Sequence, residues 1–164
     1  MDALIETARV TAVITCVFFG AFVFSYILTV ERIPAAIAAS LEAADISAVT
    51  FLLLVNILLL VLGCFLDAAA IILVMVPLLM PTIHALGIDP VHFGVVVTFN
   101  VTVGLVTPPY GMILFVVSGV NNIPIQEILS EIWPFIIVLI SVLLVLTYVP
   151  WFSLALPQYF GFIR

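Results

Sequence analysis

The sequence predicts an all-α polytopic membrane protein. Of its 164 residues, 66% are hydrophobic and 7% are charged. An ordinary soluble protein carries about 25% charged residues. The charged residues separate uncharged blocks at residues 10–30, 46–66, 68–88, 90–126 and 132–163. Each block is long enough to enter or cross a bilayer, because a spanning helix takes roughly 20 apolar residues.

Residues 90–126 form a block that is too long for one span and is interrupted by two prolines. Pro108 and Pro109 lack backbone N–H groups and clash with the preceding turn of a helix. Thr107 precedes a proline and is therefore disfavoured in the α conformation. This pattern predicts a membrane helix that is broken near residue 108.

The break has a glycine near either end, Gly104 and Gly111, and glycine allows backbone conformations that other residues avoid. We expect a first half-helix at about 91–103, an unwound link, and a second half-helix at about 109–120. In hydrocarbon, unpaired backbone groups are tolerated only where protein buries them or a polar cavity meets them. The break is therefore predicted to be a binding site.

Residues 1–45 are predicted to contain a first membrane span and a connecting interfacial helix, in a scaffold-like role. The span begins near Val10, and the residues before it do not form the basic n-region of a secretory signal. Pro34 suits the first turn of a helix, and the alanine-rich segment 35–44 follows it.

Residues 46–88 contain two apolar blocks separated by one acidic residue, Asp67. Helix connections usually take about 2–8 residues, so this linker is short for a solvated loop. Two interpretations remain open from the residues. Either two full spans meet in a tight surface turn, where Asp67 caps the second helix, or a re-entrant hairpin has its tip near 63–70. In the hairpin, Asp67 is an ionisable group at membrane depth, which indicates function.

Residues 124–164 are predicted to hold the last span, at 132–149, after a short amphipathic lead-in and before a C-terminal tail. Aromatic residues at membrane interfaces are typical of the two ends of a span. Here they are Trp133, Tyr148 and Trp151.

The side chains also exclude several functions. A net charge of −6 argues against nucleic-acid binding. His84 and His92 flank a polar turn without the spacing of a metal motif, so we expect both at the membrane interface. The sequence shows no nucleophile with a base, no phosphate loop and no pair of catalytic carboxylates. We therefore expect neither an enzyme nor a cofactor.

No lysine or arginine lies between Arg32 and Arg164, so an anion bound at the break could not be paired with a cationic side chain. An anionic substrate would be met by the N-terminal end of a half-helix, by hydroxyls and amides, or by a co-bound cation. We expect the second half-helix to begin at Pro109 and to point its N-terminus into the break.

The same break suits a hard monovalent cation such as Na⁺. The carbonyl oxygens of residues 104–107 are freed from helix pairing, and Thr107 Oγ and Asn100 Oδ can complete the ligand shell. A site with oxygen ligands alone argues against transition metals.

Several motifs together resemble a known family. They are Gly63…Asp67 with Pro77 and Pro81, then Gly87-Ile88-Asp89-Pro90, then Asn100…Gly104-Leu105-Val106-Thr107-Pro108-Pro109…Gly111. In this order they resemble the large membrane subunit of TRAP transporters, the tripartite ATP-independent periplasmic transporters. The similarity covers nearly the whole chain, and the motifs are specific in combination.

The resemblance implies one half of an inverted-repeat, elevator-type ion transporter, namely its C-terminal repeat. Residues 46–88 would then be the re-entrant hairpin and residues 89–123 the broken helix. The implied Na⁺-binding residues are Gly63, Asp67, Asn100, Gly104 and Thr107. The implied substrate-binding residues are Thr107, Pro108, Pro109, Tyr110 and Gly111. Tyr110 stands where the family usually has a small aliphatic residue, and residues 68–70 are alanines where a proline or hydroxyl residue is common.

The resemblance also implies partners and a location. A family member works in the bacterial inner membrane with a small four-helix membrane subunit and a periplasmic substrate-binding protein. An N-terminal repeat would complete the large subunit. The cargo would be an organic acid anion, such as a dicarboxylate or sugar acid, imported with Na⁺ and without ATP. The alternatives are an ion-coupled anion transporter without a binding protein, or a truncated remnant that does not transport.

Overall fold

The computed structural model describes residues 2–33, 36, 39–40 and 46–161. These residues contain helices and no strand, in agreement with the predicted all-α fold. The predicted interfacial helix at 35–44 lies mostly outside the described residues. The helices are α1 Asp2–Val30, α2 Ala48–Phe65, α3 Ala68–Ala85, α4 Pro90–Leu105, α5 Met112–Asn121, α6 Ile125–Glu131, α7 Trp133–Tyr148 and α8 Trp151–Tyr159.

The lengths and composition of these helices are consistent with a polytopic membrane protein. The helices α2 and α3 have 18 residues each and are apolar enough to cross a membrane. At 1.5 Å per residue, each is about 27 Å long, close to the hydrocarbon thickness of about 30 Å. The helices α6 and α7 meet at a bend of 52° and together also qualify as a span. The helix α1, with 29 residues, already begins at Asp2, well before the predicted start of the first span at Val10.

The two helices α2 and α3 are joined by Leu66 and Asp67 alone. This short connection fits both the re-entrant hairpin and the tight turn between two spans. The last predicted span lies at α7, and the predicted tail forms a further helix, α8.

The helix α4 lies at the centre of the described structure. It packs along α2 and also contacts α3, α7 and α8, while α1 packs on α3. One face of α4 is buried and carries Phe93, Val97 and Val101. These side chains complete a core with apolar residues of α2 and α3. The remaining core residues are Phe51, Leu52, Val55, Leu59, Ile71, Leu79, Ile83 and Ile88.

Candidate functional site

The end of α2 crosses the end of α4 at a pair of glycines. A Cβ atom on Gly104 would lie 2.7 Å from the Gly63 Cα atom, and one on Gly63 would lie 3.0 Å from the Gly104 Cα atom. Only residues without a Cβ atom allow two backbones to approach this closely. Both helices end within a few residues of the crossing, which brings the negative ends of two helix dipoles together. Such a place favours a cation.

The residues that follow Gly63 continue the contact with the break. The Cys64 Sγ atom lies 3.9 Å from the Pro108 carbonyl oxygen. The Phe65 ring packs on the Tyr110 ring with 6.0 Å between the centroids. Three successive residues of α2 therefore face the break in the helix.

The link between α4 and α5 begins as a tight turn. The Val106 N–H donates to the Val103 carbonyl over 3.2 Å, and the Thr107 N–H donates to the Gly104 carbonyl over 3.0 Å. The helix α4 ends at Leu105, two residues after the predicted end at residue 103. Gly104 therefore lies in the last turn of the helix. The Gly104 carbonyl, predicted to be free of helix pairing, is therefore paired with backbone N–H groups of this turn in the structure.

The second half-helix begins later than predicted. Gly111 precedes it with a φ of 40°, in the left-handed region. A right-handed helix cannot pass through a residue in this conformation, so α5 begins at Met112 and not at Pro109. Pro108 and Pro109 therefore belong wholly to the link. Within the link, Pro109 and Tyr110 are exposed, while Thr107 and Pro108 are partly buried.

The Thr107 hydroxyl donates to the Val103 carbonyl over 2.7 Å. Its proton is used in this bond, so its oxygen can offer lone pairs to a cation. The same bond ties the start of the link to the last turn of α4.

Asn100 lies one turn before Gly104, fully buried at 0% exposure. Its Nδ2 atom donates to the Asn56 carbonyl over 3.0 Å and to Asn56 Oδ1 over 2.9 Å. Both amide protons are thus used, whereas Asn100 Oδ1 has no partner among the described residues. The structure places this predicted ligand in a polar cluster between α2 and α4, with one free acceptor oxygen.

The polar cluster continues to α7. Asn56 Nδ2 donates to Thr147 Oγ1 over 2.8 Å, and this hydroxyl donates to the Leu143 carbonyl over 2.7 Å. Asn56 and Thr147 had no role in the sequence analysis. The signal that could have found them is a lone amide or hydroxyl in an otherwise apolar block, because a buried polar group in a membrane needs a partner.

His92 is buried at 3% exposure, although the sequence did not predict a buried partner for it. Its place at the membrane interface stays a prediction. Its Nε2 atom lies 3.2 Å from the Thr147 carbonyl oxygen. A carbonyl can only accept, so Nε2 carries the proton and donates. The sequence could not show this burial, because the partner lies on α7, far along the chain. His84 is exposed.

Asp67 caps the N-terminus of α3. Its Oδ1 atom accepts from the Ala69 N–H over 2.9 Å and from the Ala70 N–H over 3.4 Å. The side chain is exposed and lies two residues after Phe65, at the connection between α2 and α3. The cap is present in both interpretations of this segment. The charge is held at the same end of α2 that contacts the break.

The acidic, imidazole and thiol side chains of the described part do not gather into a metal site. Within residues 2–33, 36, 39–40 and 46–161, no three His, Cys, Asp or Glu side chains are grouped. A cation at the crossing would thus meet mainly carbonyl, hydroxyl and amide oxygens, which suits a hard ion.

Comparison with known proteins gives a family match over most of the chain. The sequence model described as "Tripartite ATP-independent periplasmic transporter, DctM component" matches residues 1–152. The chain is 39% identical over 158 residues to the C4-dicarboxylate TRAP transporter large permease protein DctM of Pseudomonas aeruginosa, covering 96% of this chain and 37% of that protein.

Two further relatives have other named substrates. The sialic acid TRAP transporter large permease protein SiaM of Vibrio cholerae is 39% identical over 160 residues, covering 98% of this chain and 38% of that protein. The isethionate TRAP transporter permease protein DctMQ of Oleidesulfovibrio alaskensis is 38% identical over 160 residues, covering 98% of this chain and 25% of that protein. The chain thus spans well under half the length of these relatives.

Proposed function

The chain belongs to the DctM component family of the tripartite ATP-independent periplasmic transporters, and on that premise we propose that it forms the ion-binding and substrate-binding half of a Na⁺-coupled importer of organic anions. In this proposal it is the C-terminal repeat of a large permease subunit in a bacterial inner membrane. An N-terminal repeat, a small four-helix membrane subunit and a periplasmic binding protein complete the transporter.

The observation that carries the proposal is the crossing at Gly63 and Gly104. Two helices end there, and their last carbonyl groups and dipoles favour a positive charge. Thr107 Oγ1 and Asn100 Oδ1 add side-chain oxygens on the α4 side, and the Asp67 carboxylate adds a negative charge on the α2 side. Carbonyl, hydroxyl, amide and carboxylate oxygens are the ligands that a hard cation prefers, and they do not suit a transition metal.

The substrate would bind on the link side of that cation. The link residues 107–111 lie between the crossing and the N-terminus of α5, a helix of 10 residues. No lysine or arginine lies between Arg32 and Arg164. Within this chain, the negative charge of a substrate would therefore be balanced by the bound Na⁺ and by the positive end of α5.

The family supports the re-entrant interpretation of residues 46–88. In a hairpin, the Phe65–Asp67 end of α2 and the link meet inside the membrane, where a coupled site must lie. We propose an elevator motion in which the hairpin and the broken helix, residues 89–123, move together. The core shared by α2, α3 and α4, and the Asn56–Asn100 contact, support this motion for the hairpin and the first half of the broken helix.

The named substrates of the three relatives share one chemical property. A C4-dicarboxylate, sialic acid and isethionate are all organic acid anions. We propose the same broad class for this protein.

The direct test is uptake by the full-length transporter in proteoliposomes, with its small subunit and binding protein. Uptake of an organic anion should require an inward Na⁺ gradient and should not respond to ATP. Equal uptake after K⁺ replaces Na⁺ would contradict the coupling.

Thr107→Val tests the ligand set within the same assay. It keeps the shape of the side chain and removes one oxygen, which typically costs about 1–3 kcal/mol in a buried polar site. We expect roughly a 5- to 150-fold loss of apparent Na⁺ affinity. Thr102→Val is the matched control, because its hydroxyl donates to the Thr98 carbonyl over 2.8 Å in the same way, on an exposed face of α4. Equal effects of both variants would show that the Thr107 hydroxyl only stabilises the end of α4 and does not bind Na⁺.

Asp67→Asn separates charge from capping. Asparagine retains the cap acceptor, so the protein should remain folded while Na⁺ affinity falls. Asp89→Asn is the control, because Asp89 caps α4 in the same manner by accepting from the Val91 and His92 N–H groups. An unchanged Na⁺ response in Asp67→Asn would leave Asp67 as a helix cap only.

A further inference from the structure

Three aromatic rings lie in a row beside the break. Tyr110 of the link lies between Phe65 of α2 and Phe115 of α5, with ring centroids 6.0 Å and 5.5 Å away. The exposed fractions are 57% for Phe65, 58% for Tyr110 and 48% for Phe115. The rings touch one another and leave about half of their surface open. We call these three residues the aromatic row.

The aromatic row is poorly suited to face lipid. The Tyr110 hydroxyl has no hydrogen-bond partner among the described residues, and an unpaired hydroxyl in hydrocarbon is unfavourable. The ring faces suit an organic ligand, and the hydroxyl suits water at the mouth of a polar site. The open ring faces therefore suit contact with an organic ligand that is bound at the link.

The aromatic row is also continuous with the proposed site. Its residues belong to the three elements that surround the break: Phe65 follows Gly63 by two positions, Tyr110 lies in the link, and Phe115 lies at the start of α5. A carboxylate bound at the link would place the rest of the molecule against these rings. A second carboxylate or several hydroxyls would lose hydration there and find no cationic partner between Arg32 and Arg164.

We propose that Phe65, Tyr110 and Phe115 form an apolar subsite that selects monocarboxylates bearing an aromatic ring over dicarboxylates and polyhydroxylated acids. This proposal rests on the proposed function, because it takes the link to be the carboxylate site. It narrows the substrate from organic anions in general to one chemical class.

The test uses the purified full-length membrane protein, since a binding protein would add its own selectivity. Thermal unfolding is followed in saturating NaCl while phenylacetate, succinate or gluconate is titrated. We expect half-maximal stabilisation at a phenylacetate concentration about tenfold below that of either other anion. Ring-to-ring contacts contribute about 0.5–1.5 kcal/mol each, so Tyr110→Leu should raise the phenylacetate concentration about three- to tenfold.

Matched variants separate the ring from the fold. Tyr110→Phe keeps the ring and should retain the preference for phenylacetate, whereas Phe115→Leu should weaken it and replaces Tyr110→Leu if that variant does not fold. Phe135→Leu removes an exposed ring from α7 and should leave all three titrations unchanged.

Each outcome has a separate meaning. Stabilisation by succinate or gluconate at lower concentrations than phenylacetate would overturn the subsite and leave the proposed anion transporter standing. An unchanged phenylacetate titration in the leucine variants would show that the rings pack against another part of the protein, and would also overturn the subsite. No stabilisation by any of the three anions would overturn the subsite. If Na⁺-dependent uptake were also absent, the proposed function itself would be overturned.

Discussion

The two halves of the broken helix differ in how this chain holds them. The first half, α4, contacts α2, α3, α7 and α8, and one whole face of it is buried. The second half, α5, packs chiefly on α6, and Leu114 is its only buried residue. The cation side of the site is therefore built on a rigid, packed helix, while the substrate side is built on a helix with few contacts in this chain. Substitutions in α4 should act on stability, and those in α5 on binding.

The largest expected difference is in the effect on unfolding temperature of removing a phenylalanine from each half. Phe93 of α4 is fully buried, whereas Phe115 of α5 is 48% exposed. Removing a phenylalanine from a packed core typically costs about 3–5 kcal/mol, because a cavity remains. Phe93→Ala should thus unfold the purified protein at a much lower temperature, and Phe115→Ala should have little effect on unfolding. Similar unfolding temperatures for the two variants would show that α5 is packed as firmly as α4.

A smaller difference is expected between two helical glycines. A Cβ atom on Gly104 would meet the Gly63 backbone at 2.7 Å, whereas one on Gly119 of α5 would have no atom within 4 Å. Overpacking of this kind costs about 1–3 kcal/mol, while alanine in an open helix position is favourable by roughly 0.5–1 kcal/mol. Gly104→Ala should lower the unfolding temperature and the Na⁺ affinity, and Gly119→Ala should lower neither. Normal Na⁺-dependent uptake by Gly104→Ala would contradict the close crossing.

The smallest difference concerns the polar cluster. Asn100→Ala removes two hydrogen bonds to Asn56, and interhelical hydrogen bonds in membrane proteins contribute about 0.6 kcal/mol each on average. The expected loss is therefore about 1 kcal/mol in the free energy of unfolding. Asn121→Ala in α5 removes one exposed hydrogen bond, from Nδ2 to the Val117 carbonyl, and should cost less than about 0.5 kcal/mol.

A double-mutant cycle of Asn56→Ala with Thr147→Ala would show whether the polar cluster couples α2 to α7. Additive effects would argue against such coupling.

The sequence by itself determined the class of the protein and the position of the break. An uncharged block longer than one span is a property of composition, and two adjacent prolines remove N–H groups wherever they occur. The cap at Asp67 is equally local, since its partners are the N–H groups of Ala69 and Ala70, two and three residues further along the chain. The motifs around Gly63 and Gly104 also indicated the family, and the comparisons confirm it. Structural features that depend on covalent constraints, or on residues within one helical turn, can be predicted from the sequence without knowledge of the fold.

Only the tertiary structure decided which distant residues meet. Asn56 and Thr147 are 91 positions apart, and Asn100 and Asn56 are 44 apart. Their pairing, the burial of His92 and the crossing of Gly63 with Gly104 depend on how whole helices pack, and many packings share the same apolar blocks. The start of α5 at Met112 depends on the conformation of Gly111, which the proline pattern alone leaves open. The physical reason is that hydrophobic burial has no direction, so steric fit and polar pairing between helices select the partners.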